Sequence, residues 1–426
     1  MSDEERNVIR KVTWRLVPFL CFVYFIAYLD RVNVGFAALT MRQDLALSAT
    51  AYGVGAGIFF VGYFFFEVPS NYMLKKLGAR IWIARIMFTW GAISMCTAFV
   101  QGPVSFNVMR FLLGVAEAGF FPGMVYYLTC WFPMRVRAVI LGIFIIANPA
   151  SSVIGAPLST QLLNVSLFGL TGWQTMFLVE GAPAVLLGFV VLAVLRDSPE
   201  KASWLNDRER RVLTEAVARD ESAALHTTWR AGITTPVVWH FAVLYFLYML
   251  AVYGFGLWAP QIIAELGGFT TTQTGWVVGI PYGAATIAMW LWGRHSDRSG
   301  ERRWHFAIPG FIAAIGFAYA TVVDDLYLSL AAFSVGAMGI YSSLPLFWTV
   351  LTRILGGAAA AAGIAVINSV GNLAGGLGGP VLMGWLKDRT QGYAAGLLII
   401  AASLACAALY GLHLTRRPRP VEIARV

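Results

Sequence analysis

The chain has 426 residues, 58% of them hydrophobic and 12% charged, with a mean hydropathy of +0.68 and a net charge of +9. A soluble domain carries about 25% charged residues, so a water-soluble globule of this size is excluded for want of polar surface. The basic excess does not mark a nucleic-acid binder either, because no stretch interleaves aromatic and basic residues as a soluble recognition module does.

The charged amphipathic stretch "MSDEERNVIRKVTWR" leads into a first apolar run that is too long for the core of a signal peptide and reads as a retained spanning helix. Runs of about 20 apolar residues, the length that crosses a bilayer, recur along the chain. They fall at 16–38, 51–74, 82–101, 104–130, 136–163, 174–195, 237–263, 272–293, 304–323, 326–350, 355–386 and 393–415. Twelve spans predict an all-α polytopic membrane protein. The one long polar interruption, 196–235, opens on Ser198-Pro199-Glu200 and continues in a charged pattern that predicts a short amphipathic helix on the membrane surface. It separates a six-helix bundle at 1–195 from a second at 236–426. With the connections assigned to alternate sides, 26 of the 31 Lys and Arg fall on the side that carries both termini. The other side holds Arg42, Lys387 and Arg389. Both termini are therefore expected to be cytoplasmic, and the net charge is that of a basic inner face. The predicted location is the inner (cytoplasmic) cell membrane.

Several function classes drop out. Cys21, Cys96, Cys130 and Cys406 lie in apolar segments without paired spacing and read as buried thiols. The five histidines form no metal-binding pattern, and there is no phosphate-binding Gly-rich loop, so neither a cofactor nor a metal is expected and an ATP-driven pump is excluded. No nucleophile–base pair suggests an enzyme, and the central loop is too short for the folded domain of a receptor.

The two halves share a loop pattern. "NYMLKKLGAR" (71–80) and "GRHSDRSGERR" (293–303) each follow the second span of their half, with a Gly seven residues after the first position. The second copy carries Gly293, Asp297, Arg298, Gly300, Arg302 and Arg303; the first is degenerate, with Asn71 and Lys75 in place of the Gly and the Asp, and keeps Gly78 and Arg80. A repeat of this kind belongs to rocker-type transporters. Together with "YLDRVNVGFA", "FEVPSNYMLKKLGAR", "RFLLGVAEAGFFPG" and "AAAAAGIAVINSVGNLAGGLGGP", it resembles the major facilitator superfamily, and within it the anion:cation symporter branch of bacterial sugar-acid, tartrate and aromatic-acid permeases and animal vesicular glutamate transporters.

Ionisable groups deep in a membrane are costly and mark function. In the first half they are Asp30, Arg31, Arg110 and Glu117. At a rise of about 1.5 Å per residue, Asp30 and Arg110 fall level with each other, and Glu117 lies about 10 Å deeper on the face of Arg110. Arg31 points about 100° away from Asp30. Asp30 is expected to pair with Arg110 when ionised and to release it for a substrate carboxylate when protonated; Arg31 offers a second guanidinium fork. The alternative is a static ion-pair network joining spans 1 and 4. The resemblance implies proton coupling at Asp30 and Glu117, anion binding or gating at Arg31 and Arg110, and substrate contact at Tyr28, Tyr63, Asn148, Trp348 and Asn368. Glu67 and Glu180 read as structural, Glu67 bonding backbone amides. Asp297 with Arg298 is expected to form a charge relay that closes the inner face, a part Lys75 cannot play.

The function expected is proton-coupled symport of a small organic anion, such as a sugar acid or hydroxycarboxylate, by alternating access. Sodium coupling or exchange is the alternative, disfavoured by the arginine beside each acid. The resemblance implies a monomer.

Overall fold

The computed structural model describes residues 2–221, 235–354 and 357–415. The distal part of the expected central loop and the basic tail with Arg416, Arg417, Arg419 and Arg425 lie outside them. Among the described residues every regular element is helical. In chain order these are α1 (Asp3–Asp44), α2 (Ala49–Leu77), α3 (Ala79–Cys96), α4 (Pro103–Glu117), α5 (Phe120–Trp131), α6 (Met134–Leu162), α7 (Gly172–Val194), α8 (Asp207–Glu221), α9 (Pro236–Gly256), α10 (Ala259–Gly267), α11 (Thr271–Ser299), α12 (Arg303–Tyr319), α13 (Leu326–Ile354), α14 (Gly357–Thr390) and α15 (Ala394–Leu414). Nine stretches among the described residues are long and apolar enough to cross a membrane, with α4 and α5 counted as one. The other expected spans, 272–293, 304–323 and 355–386, are occupied by α11, α12 and α14.

Two expected continuous spans are broken. The run 104–130 divides at Ala118 and Gly119, where Gly119 takes φ 83° and the chain re-enters a helix at Phe120. The left-handed φ favours glycine, and a side chain there would also run into Ser70. The run 237–263 divides at Leu257 and Trp258 before Pro260. The cysteines also differ from expectation: Cys96 and Cys406 are exposed and Cys21 and Cys130 half-buried, because the outer faces of their helices are apolar without being covered by protein.

Helices α1–α7 pack chiefly on one another, through α3 on α7, α2 on α4, and α1 on α6 and α7. Helices α9–α15 do the same, through α12 on α13 and α15, α11 on α13, and α9 on α14 and α15. The two groups meet where α2 lies against α14 and α6 against α11. Small residues make the first seam possible: a Cβ on Gly53 would strike the Pro380 carbonyl, and one on Gly57 would lie 3.0 Å from Leu377. Prolines stand inside these seam helices at Pro69, Pro149, Pro157, Pro281 and Pro380, and each removes one amide donor from its helix. Trp258 donates to the Pro380 carbonyl at 3.2 Å. Helix α8 docks on the extramembrane start of α1 through Lys11–Glu209 (2.7 Å) and Arg208–Glu4, while Glu5 pairs with Arg135 at the start of α6.

At the end that carries the α1–α2 turn, polar bonds tie the groups together. Asp388 of α14 caps α2 of the other group, accepting from the amides of Ala49 (3.1 Å) and Thr50 (2.8 Å) and from the Thr50 hydroxyl (2.6 Å). Burial raises its pKa, but these donors outweigh burial and hold the carboxyl below the usual carboxylate range. Arg42 donates to Gln261 at 2.7 Å, Tyr52 to the Leu257 carbonyl at 2.9 Å, and Asn164 to Thr272 at 2.9 Å. Toward the opposite end the seam is tied by Glu67 of α2, which accepts from Ser369 (2.6 Å) and Asn368 (3.4 Å) of α14. Glu67 therefore does not bond backbone amides as expected; it reaches across the seam.

Candidate functional site

Between the two groups lies a cavity of about 80 Å³. Its wall includes Tyr28, Arg31, Tyr63, Asn148, Trp348 and Asn368, drawn from α1, α2, α6, α13 and α14. Six residues marked in the sequence thus share one chamber. Tyr24, Tyr245, Tyr253 and Asn372 line it too. Asn372 stands one turn from Asn368 in "INSVGN" and shares its face, so the sequence marks it as a companion; nothing distinguishes Tyr24, Tyr245 and Tyr253 among 16 tyrosines, since none neighbours a charge.

Arg31 is the cation of this chamber. Its guanidinium forms a close ion pair with Glu117 and lies 5.5 Å from the ring centroids of Phe59 and Tyr63 and 5.9 Å from that of Tyr28. Aromatic faces stabilise a desolvated cation while leaving its in-plane N–H groups free to donate. Its Nε makes no hydrogen bond.

Glu117 is the last residue of α4, at the break that Gly119 makes. A helix that stops inside a membrane leaves terminal carbonyls with a partial negative charge, which favours a cation, here Arg31, or a proton on the acid. The expected position of Glu117 on the face of Arg110 did not anticipate this partner.

Arg110 lies behind Arg31 and is 1% exposed. It borders a smaller void together with Arg31, Tyr28, Tyr253, Tyr282 and Tyr341. Its one hydrogen bond is a long donation, 3.4 Å, to the Ala56 carbonyl, and its Nε and Nη1 have no partner. A guanidinium carries five donors and keeps its charge, and this one is buried with Nε and Nη1 free to donate.

The expected Asp30–Arg110 pair does not form. The Asp30 carboxylate turns toward α3, accepting from Trp90 Nε1 (2.6 Å), Ser94 Oγ (2.7 Å) and, one turn along α1, Asn33 Nδ2 (3.0 Å). Equal depth fixed its level but not its direction around the helix. Since Arg31 points into the cavity, its neighbour about 100° away points elsewhere.

In the other group the polar wall is neutral and chained. Tyr253 donates to Asn372 Oδ1 (3.2 Å), Asn372 Nδ2 to Asn368 Oδ1 (2.9 Å), and Asn368 Nδ2 to Glu67 (3.4 Å). Trp348 packs on Tyr245 with ring centroids 5.1 Å apart. Asn148 Oδ1 is buried without a partner, an acceptor open to a hydroxyl.

The loop motifs lie outside this chamber. Gly300 ends α11 with φ 68° and Gly293 lies within that helix with open space beside it. The partner of Asp297 is Arg302 (2.5 Å), which also donates to Ser296 (2.6 Å); the expected Asp297–Arg298 relay is replaced by this bond because Gly300 turns the chain back on itself. In the degenerate copy the acid comes from another element. Asp197, just past α7, accepts from the Arg80 amide (3.0 Å), and Arg80 Nε donates to the Leu192 carbonyl (2.7 Å). The Lys75 ammonium rests 5.8 Å from the ring of Tyr126.

Comparison with known proteins agrees with this architecture. Residues 20–379 match the model of the Major Facilitator Superfamily. A putative tartrate transporter of Agrobacterium vitis is 51% identical over 97% of this chain and 96% of its own length. The putative metabolite transport protein NicT of Pseudomonas putida is 43% identical over 92% and 91%. Among solved structures, a bacterial homologue of the human lysosomal transporter Spinster, in an inward-facing unoccupied conformation, superposes with a TM-score of 0.77 at 16% identity over 98% of both chains.

Proposed function

Because the chain belongs to the Major Facilitator Superfamily and is a transporter rather than an enzyme, we propose that it is a proton-coupled symporter importing a small hydroxylated organic anion by alternating access. In this reading twelve spans form two six-helix halves, 1–195 and 236–426, joined by a cytoplasmic loop at 196–235. Both termini are cytoplasmic and the chain sits in the inner membrane. A hydroxycarboxylate or sugar acid suits a cavity lined by Arg31, tyrosines and amides, with Arg110 on the smaller void beside it, and the name of the tartrate transporter in Agrobacterium vitis points the same way.

The observation that carries the reading is the division of labour between the arginines. Arg110 is buried with Nε and Nη1 idle, and Arg31 is held by Glu117. A substrate carboxylate satisfies the first directly. To use the second it competes with Glu117, and protonating Glu117 ends that competition. Proton and anion then enter together, because each makes room for the other.

The test is uptake of radiolabelled carboxylates, tartrate first, by cells or proteoliposomes containing the full chain. An inward proton gradient should drive accumulation and a protonophore should collapse it. Uptake that ignores the protonophore and requires Na⁺ would overturn proton coupling.

A further inference from the structure

On the side of α1 turned away from the cavity lies a buried polar cluster drawn from α1, α3, α6 and α7. It contains two carboxylates, Asp30 at 1% and Glu180 at 2% exposure. Neither forms an ion pair with a Lys, Arg or His among the described residues. Glu180 was read from the sequence as structural, and the transport scheme above does not use it.

The hydrogens in this cluster can be counted. Asp30 takes three donors, Trp90, Ser94 and Asn33. Glu180 Oε1 takes one, the hydroxyl of Ser159 at 2.6 Å. Glu180 Oε2 and Asn33 Oδ1 remain, both buried acceptors without a donor. Helix α1, with Asp30 and Asn33, packs on α7, with Glu180, and both Asp30 and Asn33 act on Glu180. Burying such acceptors unsatisfied is costly, and one added hydrogen relieves the deficit. Reversing the Asn33 amide does not remove the deficit. It turns the NH₂ toward Glu180 and sets the carbonyl oxygen against Asp30, so the missing hydrogen is needed there instead.

We propose that Asp30 and Glu180 share one proton across Asn33, with the proton on Glu180 in this conformation, so that Glu180 is the partner through which Asp30 takes part in coupling. In the alternative arrangement the proton sits on an Asp30 carboxylate oxygen with the Asn33 amide reversed; passing between the two breaks the Glu180 Oε2–H bond and forms one O–H bond on Asp30. The elements packed around the pair bring no further titratable group into the cluster: α3 supplies Trp90 and Ser94, and α6 supplies Ser159. The charges that act on Asp30 from across α1 are Glu117 and Arg110 of α4. Arg110 links this cluster electrostatically to the anion site.

The inference rests on the proton-symport reading, and two measurements separate their fates. Infrared spectra of the purified full chain at neutral pH should show the C=O stretch of a buried carboxylic acid that is lost in Glu180→Gln and kept in Glu117→Gln. In proteoliposomes, Glu180→Gln should keep substrate counterflow but lose at least tenfold of proton-driven accumulation. Gln supplies an N–H for Asn33 in place of the acid hydrogen, so the variant should fold normally, as a thermal melt would show. Absence of the band in the wild type, or its survival in Glu180→Gln, overturns the shared proton. Full accumulation by Glu180→Gln overturns its role in coupling. A protonophore-insensitive wild type would instead defeat the symport reading while leaving the infrared result to decide whether the pair exists.

Discussion

Glu117→Gln isolates the competition at Arg31. The substitution keeps the shape of the side chain and one carbonyl acceptor but removes the charge that pairs with Arg31. In the wild type an anion that engages Arg31 must displace Glu117. A charge-assisted hydrogen bond contributes about 1.5–3 kcal/mol, so relieving this competition corresponds to roughly ten- to a hundredfold in affinity. A pair of charges about 4 Å apart at an effective dielectric constant of about 20 would interact by about 4 kcal/mol, so this range is the conservative end. Glu117→Gln should therefore bind the anion more tightly at neutral pH. The wild type should approach the same affinity on acidification, because protonation does what the amide does permanently.

The assay is equilibrium binding of the transported carboxylate to purified protein across pH, paired with counterflow and accumulation in proteoliposomes. Glu117→Gln should exchange substrate at a measurable rate and fail to concentrate it, since no proton is released inside. An affinity at neutral pH that is unchanged or lower, or accumulation equal to the wild type, would refute the competition and return Arg31–Glu117 to a static tie between α1 and α4.

Arg110→Lys keeps the charge but loses the planar fork, and should weaken binding about ten- to a hundredfold; near-native affinity by calorimetry would remove Arg110 from the site. Asp297→Asn, which breaks the bond to Arg302, should slow transport more than Lys75→Ala, whose partner is an aromatic ring; equal rates would show that the asymmetry of the two loop motifs has no mechanical meaning. Ser369→Ala removes the shorter of the two bonds to Glu67, about 1 kcal/mol or roughly fivefold. The alkylation rate of a cysteine placed at Asn148 should rise by that factor, and an unchanged rate would exclude Glu67 as a closure of the seam.

Much of the fold was legible because bilayer length and charge bias are strong, one-dimensional signals. Apolar runs predicted where helices lie, and the adjacency of Asp30 and Arg31 drew attention to α1, whose Arg31 lines the cavity. Direction around a helix is a three-dimensional property, and there the sequence was silent. Depth made Asp30 and Arg110 level, yet only packing decides that Asp30 faces Trp90 and Ser94 while Arg31 faces the cavity. The break after Glu117 did leave a trace: Gly119 and Pro122 stand three residues apart in an otherwise apolar run, a pairing that disfavours continuous helix. Tyr253 left none, because its contribution is a hydrogen bond to Asn372, 119 positions along the chain.

The two walls of the cavity are chemically unlike, and that difference bears on how loading could be linked to movement. The wall from α1 holds Arg31, backed by Glu117 and Arg110 of α4, and in the proposed function the pairing of Arg31 with Glu117 changes with a proton. The facing wall from α9 and α14 holds neutral groups in series, Tyr253, Asn372 and Asn368, and the series ends at Glu67 on the opposite side of the seam. An anion held by the arginines presents its hydroxyls to this second wall. Asn368 has one amide, and it is already committed at both ends, accepting from Asn372 and donating to Glu67. A substrate hydroxyl that takes the place of Glu67 at Asn368 would loosen the tie between α2 and α14 at the end away from Asp388. Under the proposed function, the charged wall would select the anion and the proton, while the neutral wall would convert occupancy into a weaker seam. A bare carboxylate without hydroxyls would satisfy the first wall and leave the second locked.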